Sequence, residues 1–225
     1  MTQIIGIDDA GRGPIIGPMV LAGVLIEESN NSELQEWGVK DSKKVPSEKR
    51  QELAKKISAN FKYHVEITLP EEIDSRTKAG TNLNWIEALK TASIINTLVK
   101  QANSKQKIKI IVDCPSVNIE SWSNYLKRYI EQPELIELSC EHKADVNHPA
   151  VSAASIIAKQ TREDEIEKLK KELGIDFGSG YASDPFTQDF LEKRFSEFKD
   201  HPMIRKSWDT FTKAKAKNEQ KKLDF

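Results

Sequence analysis

The chain of 225 residues reads as an α/β protein built on a mixed sheet, and three features of the sequence point there. Two short apolar runs come first, separated by a loop rich in glycine and proline. Further strand-like runs then alternate with stretches of helical period. The last part of the chain carries helical and basic sequence.

Taken in order, Thr2 to Ile7 reads as a buried strand and Met19 to Ile26 as a second. Pro46 opens a helix to about Ala59, because proline is tolerated in a first turn. Phe61 to Leu69 alternates well enough for a strand, which Pro70 closes. Leu83, Ile86, Leu89, Ala92, Ile95 and Val99 recur at helical spacing and mark a long amphipathic helix. Ile108 to Val112 is an apolar strand that delivers Asp113, and Pro115 stops it. Ile119, Trp122, Leu126 and Tyr129 mark another helix, and Leu135 to Leu138 a short strand. A helix then runs from about Pro149 to Leu173, with Gly174 where a C-cap belongs. Beyond the glycine-rich turn Phe177–Ala182, one more apolar helical turn lies around Phe190 to Phe195.

Charge and cysteine usage narrow the function classes. With 34 basic and 35 acidic side chains, the chain has no global pull toward nucleic acid, so any such binding needs a local patch. Cys114 and Cys140 stand far apart with no CxxC, which argues against a zinc site or a disulfide framework. The start, MTQIIGIDDAGRG, has no basic run and carries aspartates within its apolar stretch, unlike a signal peptide. No stretch approaches the ~18 apolar residues of a membrane span, so a soluble, cytoplasmic protein is expected.

The chemistry is carried by carboxylates. Asp8 and Asp9 sit where the first strand runs out into AGRGP. Neighbours in a strand point to opposite faces, so the pair converges on one site only if the backbone turns there. A bare Asp-Asp pair is more often two exposed loop residues. Asp113 shifts that balance, because a second apolar strand also ends in a carboxylate, and Asp145 in EHKADVNHP stands just ahead of the long helix. Acidic residues at several strand ends are how α/β sheets build sites at their edges. Such a cluster repels itself unless a cation relieves it, and all-oxygen ligation suits Mg²⁺ or Mn²⁺. Two such ions fit a phosphodiester displacement. His142 and His148 flank Asp145 and read mainly as cap or surface residues.

These residues fall within ordered blocks. GIDDAGRGPIIGP resembles the GIDEAGRGP signature of ribonuclease HII, the type 2 ribonuclease H. KDSKK, VDCPS, ADVNHPAVSAASIIAK and GSGYASDP resemble its other blocks in the same order, over roughly residues 4 to 210. GSGYASDP and the RKSW near the C-terminus resemble the archaeal branch. The resemblance implies a ribonuclease H-like core, expected over 1–175, and a helical C-terminal region with a basic tail over 176–225. It implies metal-binding catalytic carboxylates at Asp8, Asp9, Asp113 and Asp145, with Asp9 standing where the signature has glutamate.

The same resemblance implies an endoribonuclease acting on RNA–DNA hybrids and 5′ of ribonucleotides embedded in duplex DNA. It would use two divalent ions, leave 5′-phosphate and 3′-hydroxyl ends, and form no covalent enzyme intermediate. The turn at Gly11, Arg12 and Gly13 would meet the ribose 2′-hydroxyl through its backbone, and Tyr181 would bond the same hydroxyl. An ordinary tight turn and a loop-anchoring tyrosine are the plainer alternatives. Lys43, Lys159 and Arg162 suit phosphate contacts, or are simply solvated. Asn82, Asn84 and Glu87 either line the substrate groove or form a cap and surface turn. Gln220, Leu223 and Phe225 partly resemble a sliding-clamp-binding motif, against the alternative of a frayed basic tail. A monomer is expected. The rival functions are a junction resolvase on a similar fold and a catalytically silent hybrid-binding protein.

Overall fold

The computed structural model describes residues 2–39, 45–103 and 106–223. Its five-stranded sheet is mixed, as the sequence suggests. The strands are β1 (Gln3–Ala10), β2 (Met19–Glu27), β3 (Lys62–Thr68), β4 (Ile108–Asp113) and β5 (Ile136–Glu141), in the order β3-β2-β1-β4-β5. β1 pairs antiparallel with β2 and parallel with β4, and β4 pairs parallel with β5. The helices are α1 (Asn30–Glu36), α2 (Ser47–Asn60), α3 (Pro70–Lys78), α4 (Leu83–Gln101), α5 (Ile119–Lys127), α6 (Ala144–Asn147), α7 (Pro149–Leu173), α8 (Pro185–Phe198) and α9 (Asp209–Leu223).

Several elements depart from what the sequence suggests. β1 continues three residues past Ile7, so Asp8 and Asp9 lie inside the ladder, opposite Ala22 and Leu21. α1, α3 and α6 are too short or too polar for their period to show. α7 has the bounds its pattern gives, and Gly174 follows it at φ +64°.

Two compact units divide the chain. The first comprises 1–10, 20–66 and 83–161, and the second 11–19, 67–82 and 162–225. The C-terminal region expected from residue 176 lies wholly in the second unit, which also takes in the glycine turn after β1 and α3.

In the first unit, two glycines let helices approach the sheet. A Cβ on Gly6 would lie 2.2 Å from the Ala150 carbonyl carbon, so the start of α7 rests on the β1 backbone. A Cβ on Gly23, paired with Ile7, would meet Ile94 at 2.3 Å and Leu98 at 2.9 Å on α4. Gly6 and Ile7 point to opposite faces of the pleat, so α7 covers one face and α4 the other. Val20, Ala22, Val24 and Ile26 pack with Ala150, Ala153, Ala154 and Ile157 of α7 and with Leu53 and Ile57 of α2. The second unit has its own core, where Ile15 and Ile16 pack with Ile166, Phe177, Phe190, Phe195 and Ile204. Among the described residues, no helix is long and apolar enough to cross a membrane.

Candidate active site

Asp8 and Asp9 end the central strand of the first unit. Pleat alternation puts Asp8 on the α7 side with Gly6, and Asp9 on the α4 side with Ile7. Asp8 is buried, and its Oδ1 accepts the Asp9 backbone N–H at 2.7 Å. Burial, the neighbouring Asp9 and then Asp113 push its carboxyl well above the ordinary range, and a hydrogen bond from Ser155 on α7 only partly opposes them. The turn that was expected to bring the pair together is therefore unnecessary. The two carboxylates sense each other across the end of a regular strand.

Asp113 ends β4, the parallel neighbour of β1. Its Oδ1 accepts the Ala144 N–H at 2.9 Å, which fastens α6, and with it Asp145, to the end of β4. Asp145 is 2% exposed, and its Oδ1 is buried without a hydrogen-bond donor. An orphaned buried acceptor costs about 1–3 kcal/mol, which a cation would relieve.

Asp8, Asp9 and Asp113 line one small cavity with Trp122, Thr91 and Glu87. Asp145 lines a separate, larger one with His148, Lys49 and Ser152. Among the described residues, no three acidic, imidazole or thiol side chains already converge tightly enough to ligate one ion. The donor chemistry nevertheless fits a hard divalent cation, since it is all carboxylate oxygen, mutually repelling and partly unsatisfied.

Glu87 is the residue the sequence reading placed least well. It is 1% exposed and faces the aspartate cavity from α4, rather than forming a surface turn. A signal was present, because Glu87, Thr91, Ile94 and Leu98 recur on the buried face of that helix. Asn82 is exposed, and the Asn84 carbonyl accepts the Trp122 indole N–H at 2.9 Å.

Neither histidine approaches a metal-ligand role here. His142 Nδ1 lies 3.2 Å from the Cys114 carbonyl. His148 Nε2 lies 3.0 Å from Glu141, and this contact holds the Glu141 carboxyl below its usual range. Burial pushes the Cys140 thiol up to about 11, so it is no nucleophile at neutral pH.

The second unit gathers Gly11, Gly13, Arg162 and Tyr181. Gly11 adopts φ +80°, and a Cβ there would fall 2.4 Å from the Arg162 side chain. Arg162 is not out on the charged face of α7. It is 6% exposed, donates from Nη2 to the Ser179 carbonyl at 2.9 Å, and lies 4.9 Å from the centre of the Tyr181 ring. Tyr181 stays 37% exposed, with its ring edge 3.8 Å from where a Gly13 Cβ would stand. Its turn is braced by Asp184, which accepts the Ser179 N–H at 2.6 Å, and by the buried Thr187, which accepts the Gly180 N–H at 3.0 Å.

Lys159 is half-buried on α7 and Gln220 is exposed on α9. Leu223 closes α9, while Lys43 and Phe225 lie outside the described residues.

A family model described as Ribonuclease HII matches residues 5–211. The ribonuclease HII of Methanococcus maripaludis is 46% identical over 208 residues, covering 92% of this chain and 84% of the relative. The ribonuclease H2 of Pyrococcus horikoshii superposes with a TM-score of 0.83 at 38% identity, covering 96% of this chain and 98% of the other. RNase HII in the PCNA:RNase HII complex from Archaeoglobus fulgidus superposes at 0.80 with 39% identity, covering 92% and 95%.

Proposed function

Because the chain belongs to the ribonuclease HII family, and so is an endoribonuclease of RNA–DNA hybrids, we propose that it uses two divalent ions and also cuts 5′ of ribonucleotides embedded in duplex DNA. The observation that carries the metal reading is Asp8, a buried carboxylate that lines one small cavity with Asp9 and Asp113. Asp8, Asp9, Asp113 and Asp145 would hold Mg²⁺ or Mn²⁺. When bound, the ions offset charge on both the attacking and the leaving oxygen of the phosphodiester. The protein's part is to keep those carboxylates at the strand ends. Asp8 is held by Ser155, and Asp113 anchors the segment that carries Asp145.

Sensing of the ribose falls to the second unit. Glycine at positions 11 and 13 lets the backbone approach a sugar closely, and the 2′-hydroxyl is the group that separates RNA from DNA. Tyr181 is exposed on a braced turn, with Arg162 beneath its ring. Lys159 and Lys43 are the candidates for phosphate contacts, whereas buried Arg162 acts through Tyr181. Gln220, Leu223 and Phe225 would engage a sliding clamp, a role supported by the PCNA complex of the Archaeoglobus relative.

A cleavage assay in Mg²⁺ and Mn²⁺ tests the nuclease reading, using a hybrid, a duplex with one ribonucleotide, and all-DNA duplex. Cutting 5′ of the ribonucleotide with DNA untouched is expected. Binding without any cutting would favour the silent hybrid-binding rival, and equal cutting of DNA would end the ribose-sensing account.

A further inference from the structure

We propose that Arg205 and Trp208 are positioning residues that aim the amides of the Gly11–Gly13 turn, and so set how sharply the enzyme separates RNA from DNA. The inference rests on the reading above that this turn meets the ribose 2′-hydroxyl.

A buried guanidinium needs acceptors for its donors, and Arg205, with no measurable exposure, finds four of its bonds along one short stretch of backbone. Its Nη2 donates to the Gly11 carbonyl at 2.6 Å and to the Gly17 carbonyl at 2.9 Å. Its Nη1 donates to the Arg12 carbonyl at 2.8 Å, and its Nε to the Gly17 carbonyl at 3.1 Å. The Trp208 indole N–H donates to the Gly13 carbonyl at 3.2 Å. One four-residue segment therefore takes the carbonyls of all three turn residues.

Peptide planarity converts that grip into a direction for the amides. In a trans peptide the N–H of one residue points opposite to the carbonyl of the residue before it. Drawing the Gly11 and Arg12 carbonyls toward Arg205 thus turns the Arg12 and Gly13 N–H groups away from it. The Gly13 carbonyl precedes Pro14, which has no N–H, so Trp208 aims no amide directly and instead fixes the end of the turn whose amides Arg205 aims.

The clamp is itself fixed. The Arg205 N–H donates to the Ile15 carbonyl at 2.9 Å, and its guanidinium lies 4.8 Å from the centre of the Trp208 ring. Between them, the backbone amides of Lys206 and Ser207 and the Ser207 hydroxyl all donate to Asp74 of α3, at 2.8, 3.0 and 2.5 Å. Two of the gripped carbonyls, those of Gly11 and Arg12, belong to the peptides that carry the Arg12 and Gly13 amides, so a shift of the grip would turn those amides.

The test measures discrimination rather than rate. Full-length wild type, Trp208→Phe and Arg205→Lys are titrated by fluorescence anisotropy in Ca²⁺, which suppresses turnover. The probes are a duplex with a single ribonucleotide and the same duplex in all-DNA form. Wild type should prefer the ribonucleotide. Trp208→Phe keeps an aromatic ring but loses the indole N–H, so its preference should fall about fivefold, equivalent to one hydrogen bond of about 1 kcal/mol. Arg205→Lys should lose more, and if it fails to fold, Trp208→Phe decides alone. A discriminating wild type with an equally discriminating Trp208→Phe overturns the clamp, as does a loss shared equally by both duplexes. A wild type without preference overturns the ribose reading itself, and the inference with it.

Discussion

Replacing Gly11 with alanine should damage stability and ribonucleotide recognition together, and the structure sets the size of the effect. At φ +80° an L-residue is strained by about 1–2 kcal/mol. The added Cβ would also stand 2.4 Å from Arg162 Cδ and 2.6 Å from the Pro18 carbonyl oxygen. The second contact is with backbone, so the turn or Arg162 must shift, a packing cost of about 1–3 kcal/mol. Together these give about 2–5 kcal/mol, or a fall in Tm of roughly 5–15 °C for a chain of this size. Gly80→Ala is the internal control. Gly80 has φ +89° but nothing within 4 Å of its Cβ position, so it should lose only the conformational part. Thermal unfolding of both variants separates strain from collision. Because Arg162 underlies Tyr181, Gly11→Ala should also cut the single-ribonucleotide duplex at least tenfold more slowly. A Gly11→Ala protein that matches Gly80→Ala in Tm and wild type in cleavage would refute the argument.

Other variants probe the carboxylates and the tail. Asp8→Asn should abolish cleavage yet raise the Tm of the metal-free protein at neutral pH. The raised carboxyl of Asp8 holds its proton longer in the folded state than in the unfolded chain. Metal-free stability should therefore fall as pH climbs above the unfolded value of about 3.9 toward the raised one, and Asp8→Asn should flatten that slope in a pH series of melts. Retained cleavage in Asp8→Asn would remove it from the site. Asp9→Glu should keep or raise the cleavage rate if the reach of the family's glutamate suits this backbone, and a clear drop would show adaptation to aspartate. Tyr181→Phe keeps the ring over Arg162, so its Tm should hold within about 2 °C, an expected ΔΔG within about 0.5 kcal/mol, while cleavage of the single-ribonucleotide duplex falls about tenfold. Deleting residues 218–225 should leave cleavage of short duplexes unchanged and weaken calorimetric binding to the organism's sliding clamp. Equal binding by both forms would leave the tail without that role.

The sequence disclosed elements whose pattern is long or whose ends are chemically marked. The approximate bounds of α7 are legible because a sustained period ends at Gly174. β4 was legible because Pro115 cuts off an apolar run just after Asp113. β1 is longer than its apolar run, because two aspartates look like a strand's end although the ladder runs on through them. What stayed hidden depended on contacts distant in the chain. Arg162 sits in a charged run and looks solvated, yet its burial is decided by the Tyr181 turn that packs over it. Glu87 was legible only as a polar residue at an apolar position, and what it faces depends on how β1 and β4 deliver their carboxylates.

The bonds from Arg205 to the carbonyls of Gly11, Arg12 and Gly17 join positions 188 to 194 residues apart. During synthesis the glycine turn leaves the ribosome well before the arginine that bonds its carbonyls. Contacts across so long a stretch of chain form late, because the loop between them must first be closed. A nascent chain can thus assemble β1, β2 and β4 well before the turn at Gly11–Gly13 acquires its contacts. If Arg205 sets the turn as proposed, selectivity is acquired later than the carboxylates, and a chain released short of Arg205 would carry the acidic residues beside a turn whose carbonyls nothing holds.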